Sequence, residues 1–292
     1  PVLEPVTIRI ADSEPQELRL EAATDVPVLI TLAARDVDIK AAVVSTNHAV
    51  VVYADAPNRR MGVETLLVEP PHDEALVLRI ERNDHGNARG NVRVTVVGLP
   101  TVTEDDRRRL EAAKLEATAC LGFPNTTMTG DSAATFVAAA KLHDKIDDRS
   151  ASGIALLHAA GSRYTRDADW EQAAELATDA LGRLDETDAP ALTAFAMRLL
   201  GAALAQHANT LGPDTHSGRG TVNRARKHLT EAATRFQSLG LAYEAGYALN
   251  YRGVSYLEAG EREQARADFT QALDLFRSAH DPPAQALSLQ SL

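Results

Sequence analysis

Apolar and polar residues alternate along the first hundred positions of this chain. The alternating runs are Val6-Ile8-Ile10, Leu18-Leu20-Ala22, Val28-Ile30-Leu32, Val50-Val52-Ala54, Leu76-Leu78-Ile80 and Val92-Val94-Val96. A period of two places every second side chain on one face of an extended backbone, so each run predicts a half-buried strand. Turn-forming clusters separate them, at Ser13-Glu14-Pro15, Asp55 to Asn58, Glu69-Pro70-Pro71 and Asn83 to Gly90. Seven or eight short strands in about 100 residues are expected, which predicts a β-sandwich of jelly-roll or immunoglobulin-like kind. The alternation stops at Leu99-Pro100-Thr101. Thr103 followed by Glu104, Asp105 and Asp106 then reads as a helix start, a hydroxyl cap before early acids. Everything after it reads as helical.

A repeat organises that helical part. The segment Asn223–Ser278 superposes on itself with a shift of 40 residues and no gap: Ala225 falls on Ala265, Arg226 on Arg266, Thr230 on Thr270, Phe236 on Phe276 and Ser238 on Ser278. An earlier copy, Glu171 to Leu181, matches Glu263 to Leu273 with a shift of 92. The middle copy carries 12 extra residues, assigned to a loop at Thr210–Gly220, and these reconcile the two shifts. Gly161 and Gly253 each precede an alanine (Ala173, Ala265) by 12 residues, with Tyr164 or Tyr256 between. Small residues at such points let two helices cross closely while the aromatic fills the space beside them. Gly260 is placed to end a helix. A fixed period of this size predicts a solenoid, whose units must stack to bury their apolar faces.

The clearest copy is Leu249-Asn250-Tyr251-Arg252-Gly253-Val254-Ser255-Tyr256, followed by Ala265 and Phe269. It resembles the tetratricopeptide repeat, W-x2-L-G-x2-Y then A-x3-F. Leu157, Met197 and Leu249 take the tryptophan slot, and Arg252 stands where a leucine is expected. The period of 40 is similar to the long-helix form of kinesin light chains. A degenerate copy is expected at Asp131-Ser132-Ala133 with Ala140, after a helix over Asp105–Leu121. The expected fold is therefore multidomain β + α, a small β-sandwich over 1–101 and an all-α tetratricopeptide-repeat solenoid over 102–292. Leu289 to Leu292 align with Leu249 to Arg252 under the same shift, so the solenoid is expected to be truncated at its C-terminal end.

A sandwich leading directly into such repeats resembles the amino-terminal region of bacterial CHAT-domain proteins. Local text is also similar: Asp36-Val37-Asp38-Ile39, the stretch Asp55 to Glu64, Leu78-Arg79-Ile80-Glu81 and the closing Asn91 to Val96. In that family a caspase-like cysteine protease domain follows the repeats. The resemblance implies a regulatory or recognition region whose partner in cis is a missing C-terminal domain. A non-catalytic scaffold, or the sensor arm of a signalling protein, is the alternative.

Composition narrows this further. The net charge of −11 is shared, with 10 basic against 15 acidic residues in 1–103 and 20 against 26 beyond. No basic stripe is available to neutralise phosphates, which argues against nucleic acid. No run of about 18 apolar residues suggests a membrane span. The single cysteine, Cys120, sits among small residues and reads as a packed small hydrophobe rather than a nucleophile. The nine histidines do not recur at metal-ligand spacing, although Asp144, Asp147 and Asp148 surround His143. Gly130-Asp131-Ser132 lacks the strand–elbow–helix setting of a hydrolase serine, and Ser217 to Gly220 lacks the lysine of a phosphate loop. No catalytic residue, cofactor or metal site is expected, and the fragment is not expected to be an enzyme.

The remaining candidate is a groove for a protein or peptide ligand. Positions counted back from the repeat glycines give His158, Arg198 and Asn250, with Phe195 and Tyr247 one turn earlier, and Ser162 and Arg166 extend the same side. Alternating hydrogen-bonding and aromatic side chains suit a peptide or helix partner; the competing reading is that Phe195 and Tyr247 pack between repeats. Arg198→Glu is expected to weaken binding without lowering the melting temperature.

Overall fold

The structure, a computed structural model, describes residues 4–10, 14–20, 26–35, 37–45, 50–54, 63–68, 75–82, 90–98, 103–121, 131–184, 189–212 and 215–292. It is a β plus all-α arrangement. The chain forms two compact units: one holds the strands and the helices as far as Ala159, the other runs from Ala160 to Leu292. The compositional change at Leu99–Thr101 lies outside the described residues.

In the first unit the strands are β1 (Val6–Ile10), β2 (Gln16–Leu20), β3 (Val28–Arg35), β4 (Ile39–Ser45), β5 (Val50–Ala54), β6 (Val63–Val68), β7 (Leu76–Arg82) and β8 (Gly90–Gly98). They form two four-stranded antiparallel sheets, ordered β1-β8-β3-β6 and β2-β7-β4-β5. The chain passes from one sheet to the other at almost every step, which is the strand order of a jelly roll. The inward positions of both sheets share one core: Ile30, Leu32, Val92 and Val94 from the first, Ile39, Val43, Leu78 and Ile80 from the second. Alternation found six of these strands. β6 escaped because Glu64, buried at 2% exposure, holds the inward register with Leu66 and Val68. The stretch Asp36 to Ile39 points to a strand where β4 begins, but alternation does not mark it, because Ala41 and Ala42 blur the contrast and the register shifts at Val43/Val44.

Helix α1 (Glu104–Leu121) begins at a reciprocal cap. The Thr103 amide donates to Asp106 Oδ2 at 3.0 Å, and the Asp106 amide donates to Thr103 Oγ1 at 3.1 Å. The Thr103 hydroxyl, which donates to Asp106 Oδ2 at 2.7 Å, and the Thr103 amide together hold the Asp106 carboxyl below its ordinary pKa. α2 (Ser132–Asp144) is capped by Asp131, which accepts from the Ala134 amide at 2.9 Å, and α3 (Arg149–Ser162) by Asp148. The expected helix over Asp105–Leu121 and the degenerate copy at Asp131 fall on α1 and α2.

A five-residue π-helix, Arg163–Asp167, leads into α4 (Trp170–Arg183), α5 (Pro190–Leu211), α6 (His216–Ser238), α7 (Ala242–Glu258), α8 (Arg262–Ser278) and α9 (Pro282–Ser291). Consecutive helices from α4 onward pack against one another. The 40-residue shift appears here as equivalent burial: Ala225, Leu229, Ala232, Ala233 and Phe236 of α6 match Ala265, Phe269, Ala272, Leu273 and Phe276 of α8. It also appears as equivalent caps. Leu241 donates to the Phe236 carbonyl, Glu261 to Tyr256 and Asp281 to Phe276, each around a residue at positive φ: Gly240, Gly260 and His280. This six-to-one bond satisfies carbonyls that the helix end leaves open, and it requires the left-handed conformation that glycine adopts without strain.

The 12 extra residues of the middle copy are not mainly a loop. α5 extends to Leu211 and α6 starts at His216, so the insertion lengthens both helices. Thr215 caps α6 by accepting from the Gly218 amide at 2.9 Å, and a Cβ on Gly218 would collide with the Gly212 carbonyl. Gly212 and Gly218, read as loop formers, therefore serve a tight cap.

Candidate functional site

The sequence-derived groove residues divide into two groups. His158 lies in the first unit, 4% exposed, its ring edge-on to Phe136 with centroids 5.1 Å apart. Burial pushes its pKa down to about 4, which keeps the imidazole neutral. Ser162 is also buried, at 2%, whereas Arg166 is exposed on the π-helix.

The second group converges. On α5, Phe195 and Arg198 are 5% and 6% exposed. Arg198 Nη2 lies 3.2 Å from Glu244 Oε2 on α7, and its guanidinium stacks over Phe195 at 4.5 Å and near Tyr247 at 5.7 Å. Asn250, buried one turn along α7, accepts a long 3.4 Å bond from the Ser288 hydroxyl of α9. Tyr247 is half-buried and packs edge-on against Tyr243 at 4.9 Å and Phe276 at 5.1 Å. Tyr251, next along the same face, contacts Tyr247 and Tyr164, each with centroids 6.3 Å apart.

Two features of this cluster decide how it behaves. Arg198 is a buried ion-pair partner, so the expectation of an unchanged melting temperature for Arg198→Glu does not stand. That change would place two carboxylates in one desolvated site. The ion pair is also incompletely satisfied. Its separation is that of a salt bridge, yet the bond is not aligned, and neither oxygen of Glu244 nor Nε of Arg198 has a hydrogen-bond partner among the described residues. Buried polar atoms left in this state cost about 1–3 kcal/mol each.

Sequence reasoning missed Glu244, Tyr243 and Tyr251. Tyr243, Tyr247 and Tyr251 are spaced by four residues, a visible helical stripe. Glu244 gives no such signal, because an acidic residue in a first helical turn reads as a dipole partner.

Elsewhere the candidate chemistry disperses. Among the described residues no three His, Cys, Asp or Glu side chains gather as a metal site. Asp131 is a helix cap and Ser132 is buried beside it, while Gly130 lies outside the described residues. Ser217 to Gly220 form the first turn of α6. Cys120 belongs to α1, and its side chain lies outside the described set. No helix among the described residues is long and apolar enough to cross a membrane. Compared with models of known protein families and with curated proteins, the chain matches none.

Proposed function

We propose that the helical part is a recognition module of tetratricopeptide type that takes a peptide segment of another protein, within the regulatory region of a larger CHAT-type, caspase-like protease. The observation that carries the binding reading is the Tyr164, Tyr243, Tyr247 and Tyr251 row beside the incompletely satisfied Arg198–Glu244 pair. Half-buried tyrosines supply contact area at low entropic cost. The protease link rests on the resemblance of the sandwich and repeat text alone.

The test is selection of peptides from a random display library against the 292-residue protein, followed by titration with variants. Selected peptides should lose about tenfold or more in affinity on Tyr251→Ala, a drop of about 1.4 kcal/mol. Thr270→Ala, at an exposed position of α8, should leave affinity unchanged. Equal loss in both variants, or peptides indifferent to Tyr251, overturns the site. In the native full-length protein, residues after Leu292 without a paired histidine and cysteine in a strand–helix pattern would remove the protease link and leave the binding role standing.

A further inference from the structure

The first sheet of the sandwich has two outer strands, β1 and β6, and their edges differ. β6 packs against α1 and β5. β1 pairs with β8 on one side, and among the described residues no strand lies along its other edge. In an antiparallel pair alternate residues turn their N–H and C=O groups away from the partner, so this edge presents backbone donors and acceptors that a further strand could meet. The inward row of β1 is also unfinished: Ile10 is 1% exposed, Ile8 is only partly buried against the core, and Val6 is 44% exposed. The outward row carries charge of one sign. Thr7 and Arg9 stand opposite Arg93 and Asn91 of β8, and all four are exposed. Neither arginine makes a side-chain ion pair or hydrogen bond among the described residues. The outward positions beside them, Thr95 of β8 and Thr31 and Ala33 of β3, are uncharged. On β2, an outer strand of the second sheet, Glu17 instead stands opposite Arg79, so charges there answer one another.

We infer that β1 is a docking edge for an extended acidic segment of another protein, which adds to the first sheet as a further strand. Its backbone pairs with the open edge of β1, and its apolar residues cover Val6 and Ile8. Its carboxylates, at alternate positions on the outward row, meet Arg9 and Arg93. Thr7 is small, so the longer Arg93 side chain can reach across it. A guanidinium takes a carboxylate through two parallel N–H donors, which fixes register as well as charge. A second copy of this chain is the poorer occupant, because β1 against β1 gathers four arginines on one face. A five-residue strand spans about 17 Å, so a segment of about five to seven residues suffices. The edge belongs to the first unit and is independent of the tyrosine row in the second.

Fluorescence polarisation with the 292-residue protein tests it, using labelled, end-capped peptides Thr-Val-Glu-Val-Glu-Val-Thr and Thr-Val-Lys-Val-Lys-Val-Thr. The acidic peptide should bind at least about tenfold more tightly than the basic one. Arg9→Glu combined with Arg93→Glu should reverse that preference, a result that a misfolded variant could not give. Arg19→Glu, at an exposed position of β2, should leave it unchanged. One version of the acidic peptide carries N-methyl groups on its valine amides and another on its glutamate amides. Binding should be lost in one version alone, because only one edge of the peptide faces β1. Full binding by both would show charge attraction without strand pairing and overturn the inference. Absence of binding at about 1 mM peptide overturns it as well, and leaves the two arginines as a guard against edge pairing. Sedimentation showing a dimer that Val6→Lys dissolves would assign the edge to a second copy, which equally overturns it.

Discussion

At the scale of single residues, glycines with the same backbone geometry serve different ends, and space decides which. Gly253 lies in the interior of α7, where a Cβ would come within 2.7 Å of Phe269 Cε1 and 2.9 Å of Cδ1. Phe269 is 1% exposed and held by α8, so its ring has little room to move. Gly246 faces Phe276 in the same way, at 2.6 Å. Gly220, on the exposed face of α6, has no such neighbour within 4 Å. Alanine at a helical position gains about 0.8–1 kcal/mol over glycine, whereas overpacking a core costs about 1–3 kcal/mol. Gly220→Ala should therefore raise the unfolding midpoint in urea and Gly253→Ala should lower it. Adding Phe269→Leu to Gly253→Ala should recover part of the loss, measured as non-additivity in the same urea series. A Gly253→Ala variant as stable as Gly220→Ala would show that the α7–α8 crossing is looser than these distances require.

Among elements, the sequence was most legible where a period governs packing. The 40-residue shift located the buried stripes of α6 and α8 and the cap at Gly260, because burial and capping each demand a residue type at fixed spacing. It failed where chemistry of a different kind fills a slot. Arg252, standing where a leucine is expected, is not a packing fault. Its Nε and Nη2 donate to Asp268 at 2.8 and 2.6 Å, and Nη1 donates to Thr230 at 2.7 Å, tying α7 to α8 and α6. The hydrogen bonds to Asp268 raise the Arg252 pKa further, so the guanidinium stays charged. Nothing in a single sequence connects residues 252 and 268 as partners; only the fold brings them together. The Arg198–Glu244 pair was half-visible for the same reason. Arg252→Leu restores the expected residue type but strands Asp268, whose side chain is 7% exposed. It should cost about 2–3 kcal/mol, somewhat under the ~3–5 of a fully buried pair, because Arg252 is itself 18% exposed. Arg252→Leu with Asp268→Leu should recover most of that loss, since apolar residues can replace such a pair at little cost. A double variant as unstable as the sum of the singles would show that Thr230 and packing, not the ion pair, dominate.

For the whole molecule, stability depends on pH, and His158 is one reason. In the sequence His158 was a groove candidate, because spacing from Gly161 assigns a face but cannot say what lies against it. In the structure it is a core residue whose pKa falls from 6.5 to about 4 through burial. Above pH 6.5 the imidazole is neutral in both folded and unfolded chains, and the full stability is present. As pH falls below 6.5 the unfolded chain binds a proton that the folded chain refuses, so stability drops until the folded group titrates near 4. The loss across that window is on the order of 3 kcal/mol, from 1.36 kcal/mol per pKa unit. Thermal melts at pH 7.5, 6.0 and 4.5 should show this decline in the wild type. In His158→Leu, which keeps an apolar body against Phe136 but cannot titrate, the decline should be smaller by about that amount. Carboxylates held by caps, such as Asp106, add acid sensitivity of their own, and they do so equally in both proteins. The difference between the two pH profiles therefore reads His158 alone, and identical profiles would mean that its ring is solvated enough to protonate in the folded state.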